Sequence, residues 1–459
     1  MAFERLWHKH YPPGMPVELS FESLTMPQIL TRTAERFPDH PALIFMGTVI
    51  TYRELDKLVN RFARALEQLG IREGDKIAVI LPNVPQIVIA VYAAFRIGAV
   101  NVMNNPLYTE KELTYQLNDS DSIVLITLDS LYPLAAKLKE NTGAKKIILC
   151  SLADYLPDPL KPMFPPAEVP DQPDVFHFMD LLAGQPDTPV AEKAGLNDLS
   201  TLIYTGGTTG VSKGVMLSHR NISFNAQQLR TWLGAYPDGE QRTLAIFPFF
   251  HSAGFTGLMN ISIYAGWTDI LVPRPEPDRI IDLIEKFKPN CLPGVSTIFV
   301  ALINNERFRN MDLSFLNLYM TGAAPMSPET IKGLKEIRDV PMINVYGLSE
   351  ISPMGTAYPV GGLEKRGTVG IPLPSTDLKI VDLGTATEEM KIGEPGEICF
   401  KGPQVMLSYY KKPDETAKVL KDGWLQTGDI GILDDDGFLT IVDRKKDMII
   451  ASGFNIYPQ

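Results

Sequence analysis

Apolar positions change period several times along the chain. From Leu55 they recur at Leu58, Val59, Phe62, Leu66 and Leu69, a three-and-four spacing that puts them on one helical face. Thr51-Tyr-Arg-Glu54 precedes this run as a capping box and Gly70 closes it, so the spacing predicts an amphipathic helix. Residues 75–81 then read as a buried strand and 85–95 as the next helix. Further strands are expected over 122–127 and 146–150, with helical stretches around 110–117 and 131–140. Strand and helix units in alternation predict a largely parallel sheet with helices on its faces.

Proline and aspartate crowd residues 156–189, which suits an extended connector with little regular structure. A second α/β unit is expected after it, with strands over 244–248, 269–272, 316–320 and 341–345 and helices over 277–287 and 328–337. Near Gly361 the texture changes to short strands between glycines and prolines, over 378–381, 397–401, 431–433 and 438–442. That pattern predicts a small antiparallel sheet or barrel. No internal repeat or low-complexity tract stands out.

Composition narrows the classes. A chain of 459 residues is long enough for several domains, and 45% hydrophobic with 21% charged residues is an ordinary globular balance. The formal net charge of −11 argues against general nucleic-acid binding. Cys150, Cys291 and Cys399 lie far apart, each in or beside an apolar run, as expected of reduced buried thiols in a cytoplasmic protein. The N-terminus lacks an apolar core of signal-peptide length. The most hydrophobic region, 77–103, is broken by Pro82, Pro85 and Arg96, too short between breaks for a membrane span. A soluble protein is expected, with peripheral membrane contact left open.

The candidate chemistry centres on Leu202-Ile-Tyr-Thr-Gly-Gly-Thr-Thr-Gly-Val-Ser-Lys-Gly-Val-Met-Leu217. Two apolar runs flank a loop of glycines, hydroxyls and one lysine. Glycines let successive N–H groups face one point, and Thr205, Thr208, Thr209 and Lys213 add donors there, an arrangement suited to a polyphosphate. A flexible surface turn is the plainer alternative. A Walker A loop is excluded, because Lys213 is followed by Gly214 and not by Ser or Thr.

This segment resembles the phosphate loop of the adenylate-forming enzymes, which include acyl-CoA synthetases, luciferases and peptide-synthetase adenylation domains. Gly206 stands where the family usually has serine. The resemblance extends in order over essentially the whole chain. It implies that Thr205, Gly206, Gly207, Thr208, Thr209, Gly210 and Lys213 hold phosphate. It places His251, in Phe247-Pro-Phe-Phe-His251, where the acyl pocket meets the α-phosphate, and puts Phe255 near an aromatic gate to the acyl tunnel. Gly322, Ala323 and Ala324 would line adenine. In Asn344-Val345-Tyr346-Gly347-Leu-Ser349-Glu350, Asn344 would contact the adenine edge and Tyr346 its face. Ser349, where threonine is usual, would contact the α-phosphate; Glu350, with Thr205, would hold Mg²⁺. Asp429 would accept from the ribose hydroxyls and Arg444 would reach the ribose. Lys446 would be the pivot to the small domain, and Gly453 would help form the pantetheine tunnel.

The fold implied is α/β: two α/β subdomains with mostly parallel sheets (1–190 and 191–360), a β-barrel-like subdomain (361–443), and the hinge with the start of a small C-terminal domain (444–459). The reaction implied is a two-step ligation using ATP, Mg²⁺ and CoA. A carboxylate forms an acyl-adenylate and releases pyrophosphate; the CoA thiol then displaces AMP. Asn105-Pro-Leu-Tyr-Thr109, Gln116-Leu-Asn-Asp-Ser120, Leu292-Pro-Gly-Val-Ser296 and Asp443-Arg-Lys-Lys446 resemble the long-chain fatty acyl-CoA synthetases, which implies a medium- to long-chain fatty acid. An aryl-CoA ligase, a CoA-independent acyl-AMP ligase and a non-catalytic nucleotide-binding regulator are the alternatives, and a homodimer is left open. A polypeptide ending at Gln459 is expected to bind ATP but to adenylate poorly and to fail at thioester formation.

Overall fold

The computed structural model describes residues 5–205, 211–322, 326–385 and 387–445, together with the backbone of 449–451 and 454–456. Two large sheets and one smaller sheet organise these residues. The eight-stranded sheet runs, in spatial order, Ser408–Tyr409, Lys213–Ser218, Leu199–Thr205, Val100–Met103, Lys76–Ile80, Ser122–Leu128, Lys146–Cys150 and Val175–His177. From Leu199–Thr205 onward every neighbour is parallel, whereas Lys213–Ser218 and Ser408–Tyr409 are antiparallel additions at one edge. The nine-stranded sheet runs Ile371–Pro372, Met354–Ala357, Met342–Gly347, Leu318–Gly322, Cys291–Pro293, Arg242–Ala245, Thr268–Leu271, Pro41–Phe45 and Thr48–Thr51. Its interior is parallel and both its ends are antiparallel.

Local signals account for many of these elements. Thr51 accepts from the Glu54 N–H and closes a capping box on helix Tyr52–Gln68, which buries Leu55, Val59, Phe62 and Leu66 as the spacing predicts. Thr109 and Glu112 start helix Glu110–Ser120 in the same way. Helix Pro85–Arg96 is buried on every side, which explains its continuous apolar run. Arg96 is tolerated inside because its guanidinium bonds Asp56 at 2.5 Å, Thr31 at 2.9 Å and Asn60. One apolar cluster includes Ile77, Val79 and Ile203 from the first sheet with Ala245, Leu271 and Met320 from the second, so the two sheets share a core.

Sheet membership departs from the expected divisions. Strands Pro41–Phe45 and Thr48–Thr51 belong to the nine-stranded sheet, although they precede residue 190. The hairpin Leu199–Thr205/Lys213–Ser218, expected to begin a second unit, completes the first sheet instead. The connector is also less featureless than its composition suggests, with a 3₁₀ turn at Asp158–Met163, strand Val175–His177 and helix Phe178–Leu182. The smaller sheet is antiparallel, in the order Asp377–Val381, Gly396–Lys401, Trp424–Leu433, Leu420–Lys421, with Leu439–Arg444 also on Trp424–Leu433. Among the described residues no helix is long and apolar enough to cross a membrane.

Candidate active site

Thr205 and Lys213 are register partners at the open end of their hairpin, so the glycine-rich loop starts and ends at one place. Gly206, Gly207, Thr208, Thr209 and Gly210 lie outside the described residues. The base of the loop is held from outside the hairpin. Tyr115 donates to the Ser212 carbonyl at 3.0 Å, and the Tyr204 hydroxyl donates to Asp119 at 2.8 Å. Strand Ser408–Tyr409 adds to its other face, where the Tyr410 N–H bonds the Gly214 carbonyl at 2.8 Å.

That added strand brings Lys213 and Glu350 together. The Tyr409 hydroxyl donates to Glu350 Oε1 at 2.7 Å, and Lys213 Nζ stands 4.4 Å from the centroid of the same ring. Lys213 also pairs with Glu415 at 3.2 Å. The Glu350 carbonyl accepts from the Met406 N–H at 2.8 Å, so main chain and side chain are both tied to segment 406–409. Burial raises the carboxyl pKa of Glu350, against the hydrogen bond from Tyr409 and the charge of Lys213. Tyr409 and Glu415 were not singled out by sequence reasoning. The signal was present in the apolar run Val405-Met-Leu ending at Tyr409, with a helix start at Pro413 and acidic residues in its first turn.

Strand Met342–Gly347 delivers the neighbouring groups. Gly322 pairs with Val345, and a Cβ at Gly322 would lie 2.6 Å from Val345 Cγ2, so glycine permits the close approach. Ala323 and Ala324 lie outside the described residues. Asn344 donates to the Thr368 carbonyl at 3.2 Å, and Tyr346 donates to Asp429 Oδ2 at 2.7 Å. Burial and the adjacent Asp429 raise the Tyr346 pKa, which keeps its hydroxyl a donor. Arg444 is the register partner of Asp429 and approaches it to 3.6 Å with its side chain largely exposed. Beside it, Lys445 pairs at 2.8 Å with the buried Glu397, so the charge run is anchored here rather than wholly solvated. Lys446 and Gly453 lie outside the described residues.

Ser349 and His251 meet through Ser252, whose Oγ is 3.0 Å from Ser349 Oγ. Asn83 fixes the path of the histidine segment: its amide donates to the Ala245 and Phe247 carbonyls at 2.9 Å, and its oxygen accepts from the Phe249 N–H at 2.7 Å. His251 Nδ1 accepts from the Ala253 N–H at 3.2 Å. The ring keeps an exposed edge yet is crowded by protein, and desolvation lowers its pKa, which favours the neutral acceptor form. Phe255 is fully buried and packs edge-on against Phe95 at the start of a π-helical turn, so it forms part of the core in this conformation.

A magnesium ion fits this donor set only with help from a ligand. Among the described residues no group of three or more His, Cys, Asp or Glu side chains could hold a metal. Glu350 offers a hard carboxylate oxygen, and Thr205, the register partner of Lys213, carries a hydroxyl at the base of the hairpin loop. Mg²⁺ is commonly held by one or two carboxylates plus substrate phosphates and water.

Parallel sheets sharing a core, a glycine-rich hairpin and a strand-end carboxylate facing its lysine define a nucleotide-handling α/β protein. The chain belongs to the AMP-binding enzyme family, whose pattern matches residues 30–410. It is 40% identical over 468 residues to a long-chain-fatty-acid–CoA ligase of Bacillus subtilis (strain 168), covering 100% of this chain and 83% of that protein. The corresponding ligase of Salmonella typhimurium is 36% identical over 475 residues, covering 99% of this chain and 83% of that protein. Among solved structures, a long-chain-fatty-acid-CoA ligase from Archaeoglobus fulgidus superposes with a TM-score of 0.83 at 26% identity, covering 95% of this chain and 86% of that one.

Proposed function

We propose that this protein is an ATP-dependent acid–thiol ligase that activates a medium- to long-chain fatty acid and passes it to CoA. The acid carboxylate attacks the α-phosphorus of ATP. The bond to the bridging oxygen breaks, giving acyl-AMP and pyrophosphate. The CoA thiol, losing its proton, then attacks the acyl carbon, and AMP departs. The observation that carries the reading is the convergence of Lys213 and Glu350 on Tyr409 beside the mouth of the glycine-rich hairpin. The identity to the ligases named above supports the fatty acid and CoA as substrates.

The difficulty of the first step is bringing one anion to another. Lys213 and Thr205, paired at the two ends of the loop, lower the repulsion by opposing the phosphate charge from fixed positions on the hairpin. Mg²⁺, held by Glu350 and Thr205, would supply further charge neutralisation at the phosphates. Tyr346 and Asn344 orient the base, and Asp429 with Arg444 orients the ribose. His251, neutral and next in the chain to the Ser252 that bonds Ser349, stands where the carboxylate meets the α-phosphate. Buried, unpaired Cys150, Cys291 and Cys399 support a cytoplasmic setting. Incubation with ATP, Mg²⁺, CoA and a panel of carboxylic acids, reading acyl-AMP and acyl-CoA separately, tests the assignment. Fatty-acid-dependent pyrophosphate release with both products is expected of the full-length protein; turnover of aryl acids alone would overturn it.

A further inference from the structure

We propose that Tyr409 is a positioning residue that sets the distance and angle between the Glu350 carboxylate and the Lys213 ammonium, so that both engage one triphosphate. The inference rests on the ligase reading and deepens it. Three observations bear on it together. The hydroxyl holds Glu350 Oε1 at 2.7 Å, while the ring carries Lys213 Nζ at 4.4 Å from its centroid. A single rigid side chain therefore spans the two charges. Its own backbone is fixed by pairing of Tyr409 with Val215, two residues beyond Lys213, and by Thr416 Oγ1 accepting from the Tyr409 N–H at 2.9 Å. The residue is buried, 6% exposed, so the ring has little freedom to swing away.

The geometry assigns different work to the two parts of the side chain. The hydroxyl orients the carboxylate proposed to face the metal, and the ring supports the lysine proposed to face phosphate. The two contributions can thus be removed in steps. Tyr409→Phe deletes the hydroxyl and keeps the ring; Tyr409→Leu deletes both while leaving an apolar side chain in the core.

Calorimetric titration of the whole chain with ATP, in the presence of Mg²⁺ and again with the metal chelated, separates them. Tyr409→Phe is expected to bind ATP about tenfold more weakly with Mg²⁺ present and as the unsubstituted protein does without it, because a hydrogen bond to a charged group is lost. Tyr409→Leu is expected to weaken binding under both conditions, with a several-fold loss that survives chelation. Equal affinities for all three proteins would overturn the inference. So would a Tyr409→Phe loss of the same size with and without metal, which is what a merely structural role produces. Should Tyr409→Leu fail to fold, the Tyr409→Phe comparison alone still decides. If the unsubstituted chain bound no ATP under either condition, the ligase reading itself would fall and this inference with it.

Discussion

The Tyr346 hydroxyl donates to the Asp429 carboxylate at 2.7 Å across 83 residues of sequence, joining the end of a strand in the nine-stranded sheet to the longest strand of the smaller sheet. The two groups proposed to touch base and ribose are therefore a single bonded unit. Tyr346→Phe keeps the ring and removes the tie. Its expected effect is a severalfold rise in KM for ATP with little change in the unfolding midpoint, since a partly exposed charged hydrogen bond contributes about 1–2 kcal/mol. Asp429→Ala removes the proposed ribose partner as well and is expected to raise KM further.

Glu350 and Lys213 act on phosphate from two sides in the proposed assignment. Glu350→Gln is nearly isosteric and keeps an oxygen for Tyr409, while Lys213→Met keeps the stem over the ring. Each is expected to reduce pyrophosphate release by on the order of a hundredfold or more at saturating ATP. Initial rates with a fatty acid, alongside melting curves to exclude unfolding, check this; near-normal rates in either variant would contradict the assignment.

Stability should depend on pH through Asp269, which is fully buried and receives a hydrogen bond from Ser262 Oγ at 2.8 Å. Burial pushes its carboxyl up to about 7 from an ordinary 3.8. The folded chain then holds this proton over a range where the unfolded chain has released it. Stability from this group is present below about 4 and is lost as pH rises toward 7, by up to about 4 kcal/mol. His219 works in the opposite sense: burial pulls it down to about 4, so its contribution is lost as pH falls below about 6.5. Asp269→Asn is expected to be more resistant to denaturant at pH 7 than the parent, and the stability difference between the two is expected to grow from pH 5 to pH 7. Chemical denaturation across that range measures it.

Gly347 ends its strand against the next turn. A Cβ there would lie 1.8 Å from the Pro353 carbonyl oxygen, a contact with backbone that no rotamer relieves. Gly347→Ala is expected to destabilise the fold by about 3 kcal/mol and to displace Glu350. A lower unfolding midpoint together with weaker ATP binding would bear this out.

Much of this arrangement is legible before any coordinates. Helix Tyr52–Gln68 announces itself through Thr51, Glu54 and a strict apolar period, because its capping and burial are local matters. Strand Met342–Gly347 is legible for the same reason, and it carries a run of unusual residue types. What the sequence hides is partnership at long range. Nothing local in residues 41–51 shows that they pair beyond Thr268–Leu271, or that Tyr409 lies on Val215. Such pairings depend on which edge is left open when other strands have assembled, and a periodicity of two carries no such address. Phe255 shows the converse: an aromatic residue placed by resemblance at a gate is here packed on Phe95.

One stretch of backbone, strand Met342–Gly347 and the turn Ser349–Ile351, carries Asn344, Tyr346, Ser349 and Glu350. His251 arrives separately, on a segment pinned by Asn83. In the proposed assignment the purine end and the acid end of the cleft thus hang from different supports. Mutational drift around the histidine segment can retune which acid is accepted while the nucleotide stays in register, so a single scaffold can diversify its substrates without rebuilding its energy source.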